Sequence, residues 1–148
     1  MPANIRDQHG GRVIQLGPVT VRSILNGRDT AGAFDLLELG AGPTGIGPPL
    51  HAHSKTHETF TVLEGGMEFT VGGEKTIAHS GTTVHVPPGT PHSFRYVGAG
   101  HNRFLALFTP SIDMETYFVG LQELVKVSIP PDREKAFALM ARHDTRPA

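Results

Sequence analysis

What most limits the fold of this chain is how often it is interrupted. Between Arg12 and Phe108, glycines and prolines fall singly or in pairs every few residues, and the stretches between them are short and apolar-rich. Turn residues at that density suit many short strands. Arg12 to Leu16 and Val19 to Leu25 read as two strands, broken at Gly17-Pro18 and closed by Asn26-Gly27, a hairpin-type pair. Ala33 to Leu39 is a third. Gly40 to Pro49 holds four glycines and three prolines and reads as a loop leading to His51. Glu58 to Leu63 follows as a strand, and Gly65-Gly66 turns it into a run that puts Met67, Phe69 and Val71 on one face. Lys75 to Ala78, Thr82 to Val86, His92 to Val97 and Asn102 to Phe108 complete the set, with His92, Phe94 and Tyr96 sharing a face.

After Pro110 the period changes. Phe118, Leu121, Leu124 and Val125 sit at helical spacing within about Asp113 to Val127, with Ser111 or Asp113 as cap. Pro130-Pro131-Asp132 opens a second helix with Ala136, Phe137, Leu139 and Met140 as its apolar stripe. The expectation is one domain over residues 1–148, all-β, as a closed or double-sheet barrel with a C-terminal helical tail at about 111–143. Met1 to Gly11 is polar and expected to be loose at its start.

The chemistry concentrates in His51-Ala52-His53-Ser54-Lys55-Thr56-His57-Glu58. His51 and His53 are two apart, so on a strand both leave the same face. Glu58 opens the next apolar-rich run, and His92 comes later, after Pro87-Pro88-Gly89-Thr90-Pro91. Imidazoles and a carboxylate converging from adjacent strands make a transition-metal site with open coordination positions. His57 points to the opposite face from Glu58. His85 faces away from Val84 and Val86 as a packed or surface imidazole, and His9, His79, His101 and His143 read as surface residues.

The punctuation around these residues resembles that of a known family. Gly45, five residues, His51-x-His53, four residues, Glu58, six residues and Gly65 is similar to the first cupin motif (about 45–65). Gly81, five residues, Pro87-x-Gly89, two residues and His92 is similar to the second (about 81–96). Two positions depart: Tyr96 stands where the second motif usually has Asn, and Thr82 where Asp is frequent. The run Pro131 to His143 looks like the tail of small single-domain cupins related to bacterial quercetin 2,3-dioxygenases. The resemblance implies a double-stranded β-helix, or jelly-roll barrel. It implies that His51, His53, Glu58 and His92 hold one divalent transition metal (Fe, Mn, Ni, Co, Cu or Zn). In a quercetinase-like dioxygenase Glu58 doubles as ligand and catalytic base for a small aromatic or phenolic substrate. Two other readings stay open: a metal-dependent isomerase or lyase on a small oxygenated metabolite, and a non-catalytic small-molecule-binding cupin.

Phe60, Met67, Phe69, Phe94, Phe104 and Phe108 fall where side chains could face the barrel interior, either as the wall of a substrate pocket or as core. Arg95 and Arg103 should point outward. Tyr117 and Phe118 either close the barrel mouth or cover an open sheet face. A net charge of −1 gives no reason to expect nucleic acid or an anionic membrane as partner. No apolar run approaches the roughly 18 residues of a membrane span. The absence of cysteine fits a reducing cytosol, so a cytoplasmic location is expected. The apolar strands from Arg12 to Leu25, with the resemblance to small cupins, predict a homodimer.

Overall fold

The computed structural model describes residues 1–98 and 101–148. Eleven strands and two helices follow in chain order: β1 (Arg12–Leu16), β2 (Val19–Leu25), β3 (Asp35–Gly40), β4 (His51–His53), β5 (His57–Glu64), β6 (Gly66–Val71), β7 (Glu74–His79), β8 (Thr83–Val86), β9 (His92–Val97), β10 (Arg103–Thr109), α1 (Met114–Val127), α2 (Arg133–Ala141) and β11 (Thr145–Pro147). Helix is confined to the C-terminal part, as the change of period after Pro110 predicts. β11 has no counterpart in the sequence reading. It is three residues long and carries no alternation to betray it.

The strands form two sheets, a six-stranded one in the order β1-β2-β3-β10-β5-β8 and a five-stranded one in the order β11-β4-β9-β6-β7. All pairings are antiparallel. Alternation along each strand sends one set of side chains between the sheets. From the larger sheet come Ile14, Val21, Leu37, Phe60, Val62 and Phe104, and from the smaller one Met67, Phe69 and Tyr96, all essentially out of water. Each such aromatic or aliphatic side chain contributes about 1.5–3 kcal/mol on burial. Outward positions carry polar groups: Arg22 and Arg103 flank Glu38 at 2.8 and 3.2 Å, and Arg95 is exposed.

α1 packs over β1 and β2 at one end of the larger sheet. Its N-terminus is fixed by Asp35, a buried carboxylate that accepts from Ser111 Oγ (2.7 Å), Ile112 N (2.9 Å) and Met114 N (3.3 Å). Asp113 caps the helix through Thr116 N, so of the two capping candidates Ser111 serves Asp35 instead. Tyr117 and Phe118 are half-buried against the core. Asp132 caps α2. Of its expected stripe, Leu139 and Met140 are buried while Phe137 stays exposed under Arg133.

The loop at residues 41–50 lies along β9 like an added strand. Gly45 N donates to Tyr96 O (2.8 Å) and Tyr96 N to Ile46 O (3.0 Å). A Cβ on Gly47 would collide with the Phe94 carbonyl, and one on Gly42 with the Tyr96 ring. Gly42 is therefore what lets tyrosine occupy the position where the motif usually has asparagine. The Tyr96 hydroxyl is buried with no partner. Leaving such a group unsatisfied costs about 1–3 kcal/mol. Gly47→Ala should lower the midpoint of thermal unfolding by forcing the loop off β9, whereas Tyr96→Phe should hold or raise it. A melt showing Gly47→Ala as stable as the parent would mean the loop is not docked this way.

Candidate metal centre

His51 and His53 come from β4, and β9 places His92 directly opposite His51. Glu58 comes from β5 in the other sheet, flanked across the strands by Val86 and Phe108. The four residues thus meet where the inner faces of the two sheets converge. One ligand atom from each lies within 4.8 Å of the others. Glu58 Oε2 is 2.8 Å from His92 Nε2 and 3.0 Å from His53 Nε2, and the His51 and His92 rings are 4.3 Å apart. His53, Glu58 and His92 are buried, while His51 is partly accessible and marks the open side.

Each imidazole is oriented from behind. His51 Nδ1 donates to Pro49 O (2.8 Å), His92 Nδ1 to Thr90 O (2.9 Å) and His53 Nδ1 to Asp144 O (3.1 Å). The Thr145 hydroxyl gives its proton to His143 O at 2.8 Å, so its oxygen accepts a further contact from His53 Nδ1 at 3.1 Å. A proton on every Nδ1 leaves every Nε2 as an acceptor aimed inward. Carbonyl support of this kind sets the tautomer of metal-binding histidines.

The backbone around the site is held as tightly. Gly89 N donates to His53 O at 2.6 Å, tying the Pro87-Pro88-Gly89 turn to β4. Asp144, with φ 44°, accepts from Ser54 N (3.0 Å), Lys55 N (2.9 Å) and Thr56 N (3.0 Å), which closes the turn between His53 and Glu58. Partial burial works against its charge, but these three N–H groups outweigh it and keep the carboxyl below its usual range.

Two acceptor nitrogens and a carboxylate oxygen cannot stand at 2.8–3.0 Å without something positive between them. Burial alone would raise the pKa of Glu58, yet hydrogen bonding to His53 and His92 outweighs it and holds the carboxyl at about 2. Burial likewise works to lower His92, but Glu58 outweighs it and raises it. Burial, with repulsion from His92, pushes His51 down to about 4. Three imidazoles and a carboxylate form a donor set that suits a divalent transition metal.

The remaining expectations divide. His57 and His85 lie on the outer face, both exposed. His143 is not the surface residue that the sequence reading makes it. It is buried, donates Nδ1 to Ile112 O at 2.7 Å and packs edge-on against Tyr117. Met67, Phe69 and Phe104 interlock with Phe60 and Phe94 in the interior. Two of the aromatic rings reach the histidines, Phe108 at 5.7 Å from His53 and Phe60 at 6.4 Å from His92. A cavity of about 440 Å³ between the 26–34 turn and the start of α1 includes none of the four cluster residues in its lining. Asp144 and Thr145 support the cluster from positions that no local sequence signal marks.

Two antiparallel sheets closed over a three-histidine, one-glutamate cluster define the cupin fold. Residues 40–108, just under half of the chain, match the family described as the Cupin domain. The quercetin 2,3-dioxygenase of Bacillus subtilis is 39% identical over 95 residues, 64% of this chain and 28% of that protein. The chain therefore spans less than a third of that relative's length. The structure of KdgF from Halomonas sp. superposes with a TM-score of 0.64 at 14% identity, covering 74% of this chain and 94% of that one. The polyketide cyclase RemF from Streptomyces resistomycificus gives 0.62 at 24% identity, covering 75% and 81%. At these identities the structural likeness concerns the fold.

Metal content should fall as pH is lowered, because protons compete for Nε2. Glu58 raises His92, so it takes up a proton more readily than an ordinary imidazole, whereas His51, pushed down to about 4, resists protonation. His92→Ala should cut metal per chain sharply, and Asp144→Ala should weaken loading by loosening the turn that sets His53 against Glu58. Mass spectrometry of metal per chain across a pH series reads all three. Loading that does not change with pH or with His92→Ala would place the metal elsewhere.

Proposed function

We propose that this cupin is a metal-dependent dioxygenase acting on a small aromatic or phenolic substrate, with His51, His53, Glu58 and His92 holding one divalent transition metal. The carrying observation is the set of three Nε2 acceptors locked toward Glu58, read beside the likeness to a quercetin 2,3-dioxygenase. When bound, such an ion supplies Lewis acidity that stabilises a substrate oxyanion and positions oxygen near it.

The chain's own residues have separable tasks. Glu58 Oε2 is engaged by His53 and His92, whereas its Oε1 makes no hydrogen bond among the described residues, so it is the atom that takes the hydroxyl proton. The Phe60 and Phe108 rings, set beside His92 and His53, give the substrate an apolar flank. No arginine or lysine is buried among the described residues, which favours a neutral aromatic substrate over an acidic sugar or keto acid. Tyr117 is pushed up to about 12, first by burial and then by the Glu58 charge, so its hydroxyl stays protonated as a donor on the α1 side.

Oxygen uptake should appear when the metal-loaded protein is given a panel of flavonols and catechols. Glu58→Gln should reduce turnover by at least about a hundredfold, the usual span of general-base loss. Metal per chain should fall far less. Full metal with no uptake across the panel would overturn the dioxygenase reading in favour of an isomerase, a lyase or a binding module.

The assembly proposed is a cytoplasmic homodimer paired through the N-terminal strands. β1 stands at the free edge of the six-stranded sheet with Val13 62% exposed, and an open edge is a ready pairing surface. Light scattering should return about twice the chain mass of 15.9 kDa, and a single species at 15.9 kDa would contradict it.

A further inference from the structure

The loop at residues 41–50 is docked at a local cost. Its first residue, Ala41, has φ 62°, a left-handed backbone that favours glycine. Under the loop lie the two buried polar side-chain atoms that lack a partner among the described residues, the Tyr96 hydroxyl and Asn102 Oδ1. Both side chains touch Gly42: a Cβ there would strike the Tyr96 ring, and Asn102 Nδ2 donates to Gly42 O at 3.0 Å. Ile46 and Leu50, on the loop itself, stay exposed. What holds the loop down is a short set of hydrogen bonds. Ala41 N donates to Asn102 O (3.2 Å), Gly45 N to Tyr96 O (2.8 Å), Tyr96 N to Ile46 O (3.0 Å) and Thr44 Oγ1 to Gly98 O (2.6 Å). Water replaces each of these when the loop lifts, and lifting also gives the two orphaned atoms access to water. Strain of this kind persists only where the surrounding structure over-determines it.

The far end of the same loop reaches the metal centre. Pro49 O accepts from His51 Nδ1 at 2.8 Å, so the carbonyl that orients one of the four candidate ligands belongs to the loop. We propose that residues 41–50 form a latch whose closure is coupled to the filling of the centre, an inference that rests on the metal reading above. With Nε2 of His51 engaged by a cation, its Nδ1–H becomes a stronger donor and holds the Pro49 carbonyl more firmly. The coupling runs both ways. The factor by which a bound metal favours the closed loop is the factor by which the closed loop favours the metal.

The test is hydrogen–deuterium exchange on the full chain, stripped of metal and then loaded with Zn(II), with zinc per chain measured alongside. Exchange at the Gly45 and Tyr96 amides should slow about fivefold or more on loading, the lower end of ordinary coupling between sites. Tyr96→Phe removes one orphaned atom and should slow the Gly45 amide in the stripped protein. Gly47→Ala, which forces the loop off β9, should weaken zinc binding about fivefold or more although no ligand is changed. Zinc bound with the Gly45 and Tyr96 amides unchanged overturns the latch and leaves the metal centre standing. So does a Gly47→Ala protein that is folded by circular dichroism and binds zinc like the parent. A parent chain that binds no zinc overturns the metal centre, and the latch with it.

Discussion

Everything in this fold answers to three hydrogen bonds that point away from the centre. Carbonyls of Pro49, Thr90 and Asp144 each take an Nδ1 proton, and the histidines are left presenting lone pairs to one another and to Glu58. Such a cluster is unfavourable by itself, because desolvated acceptors with no donor cost free energy and a buried carboxylate adds to it. It persists because the two sheets over-determine it. β4 and β9 set His51 against His92, β10 and β8 hold β5 on both sides, and Asp144 ties down the turn between His53 and Glu58.

That arrangement explains the place of the C-terminus. The short β11 pairs with β4 and supplies Thr145 behind His53, and Asp144, the residue before it, supplies the carbonyl. α2 delivers the chain to it, and His143 anchors the join by binding Ile112 O at the start of α1. The helical tail therefore does two things: it packs over β1 and β2, and it brings Asp144 and Thr145 into place behind His53.

The parts of this design that depend on local periodicity were legible in the sequence. His51 and His53 share a face because strands repeat every two residues, and Gly45, Gly65, Gly81 and Gly89 occupy the positive-φ turns that the motif spacing requires. The outward placement of His85 follows from the same alternation. What depends on distant pairing was not legible. Asp144 and Thr145 act on residues some ninety positions earlier through a three-residue strand, and nothing in Asp-Thr-Arg-Pro announces that. His143 reads as surface because it follows a helix whose apolar stripe is weak, and only the packing of α2 against α1 buries it. The tolerance for Tyr96 was hidden for a similar reason, since the compensating residue is Gly42, on a loop that precedes the motif.

The low pKa of Glu58 limits the chemistry the site can perform. A carboxylate lowered by its contacts with His53 and His92 is a weaker proton acceptor than an ordinary glutamate. A base so weak works only where the phenolate it creates is stabilised as it forms. His53 and His92, which depress Glu58, are with His51 the groups able to gather a cation beside it. Ligand geometry and base strength are thus one property of the cluster. Under the proposed function, removing the histidine contacts that lower Glu58 would also remove the groups proposed to gather the cation, so the proposed acid–base step and metal site stand or fall together.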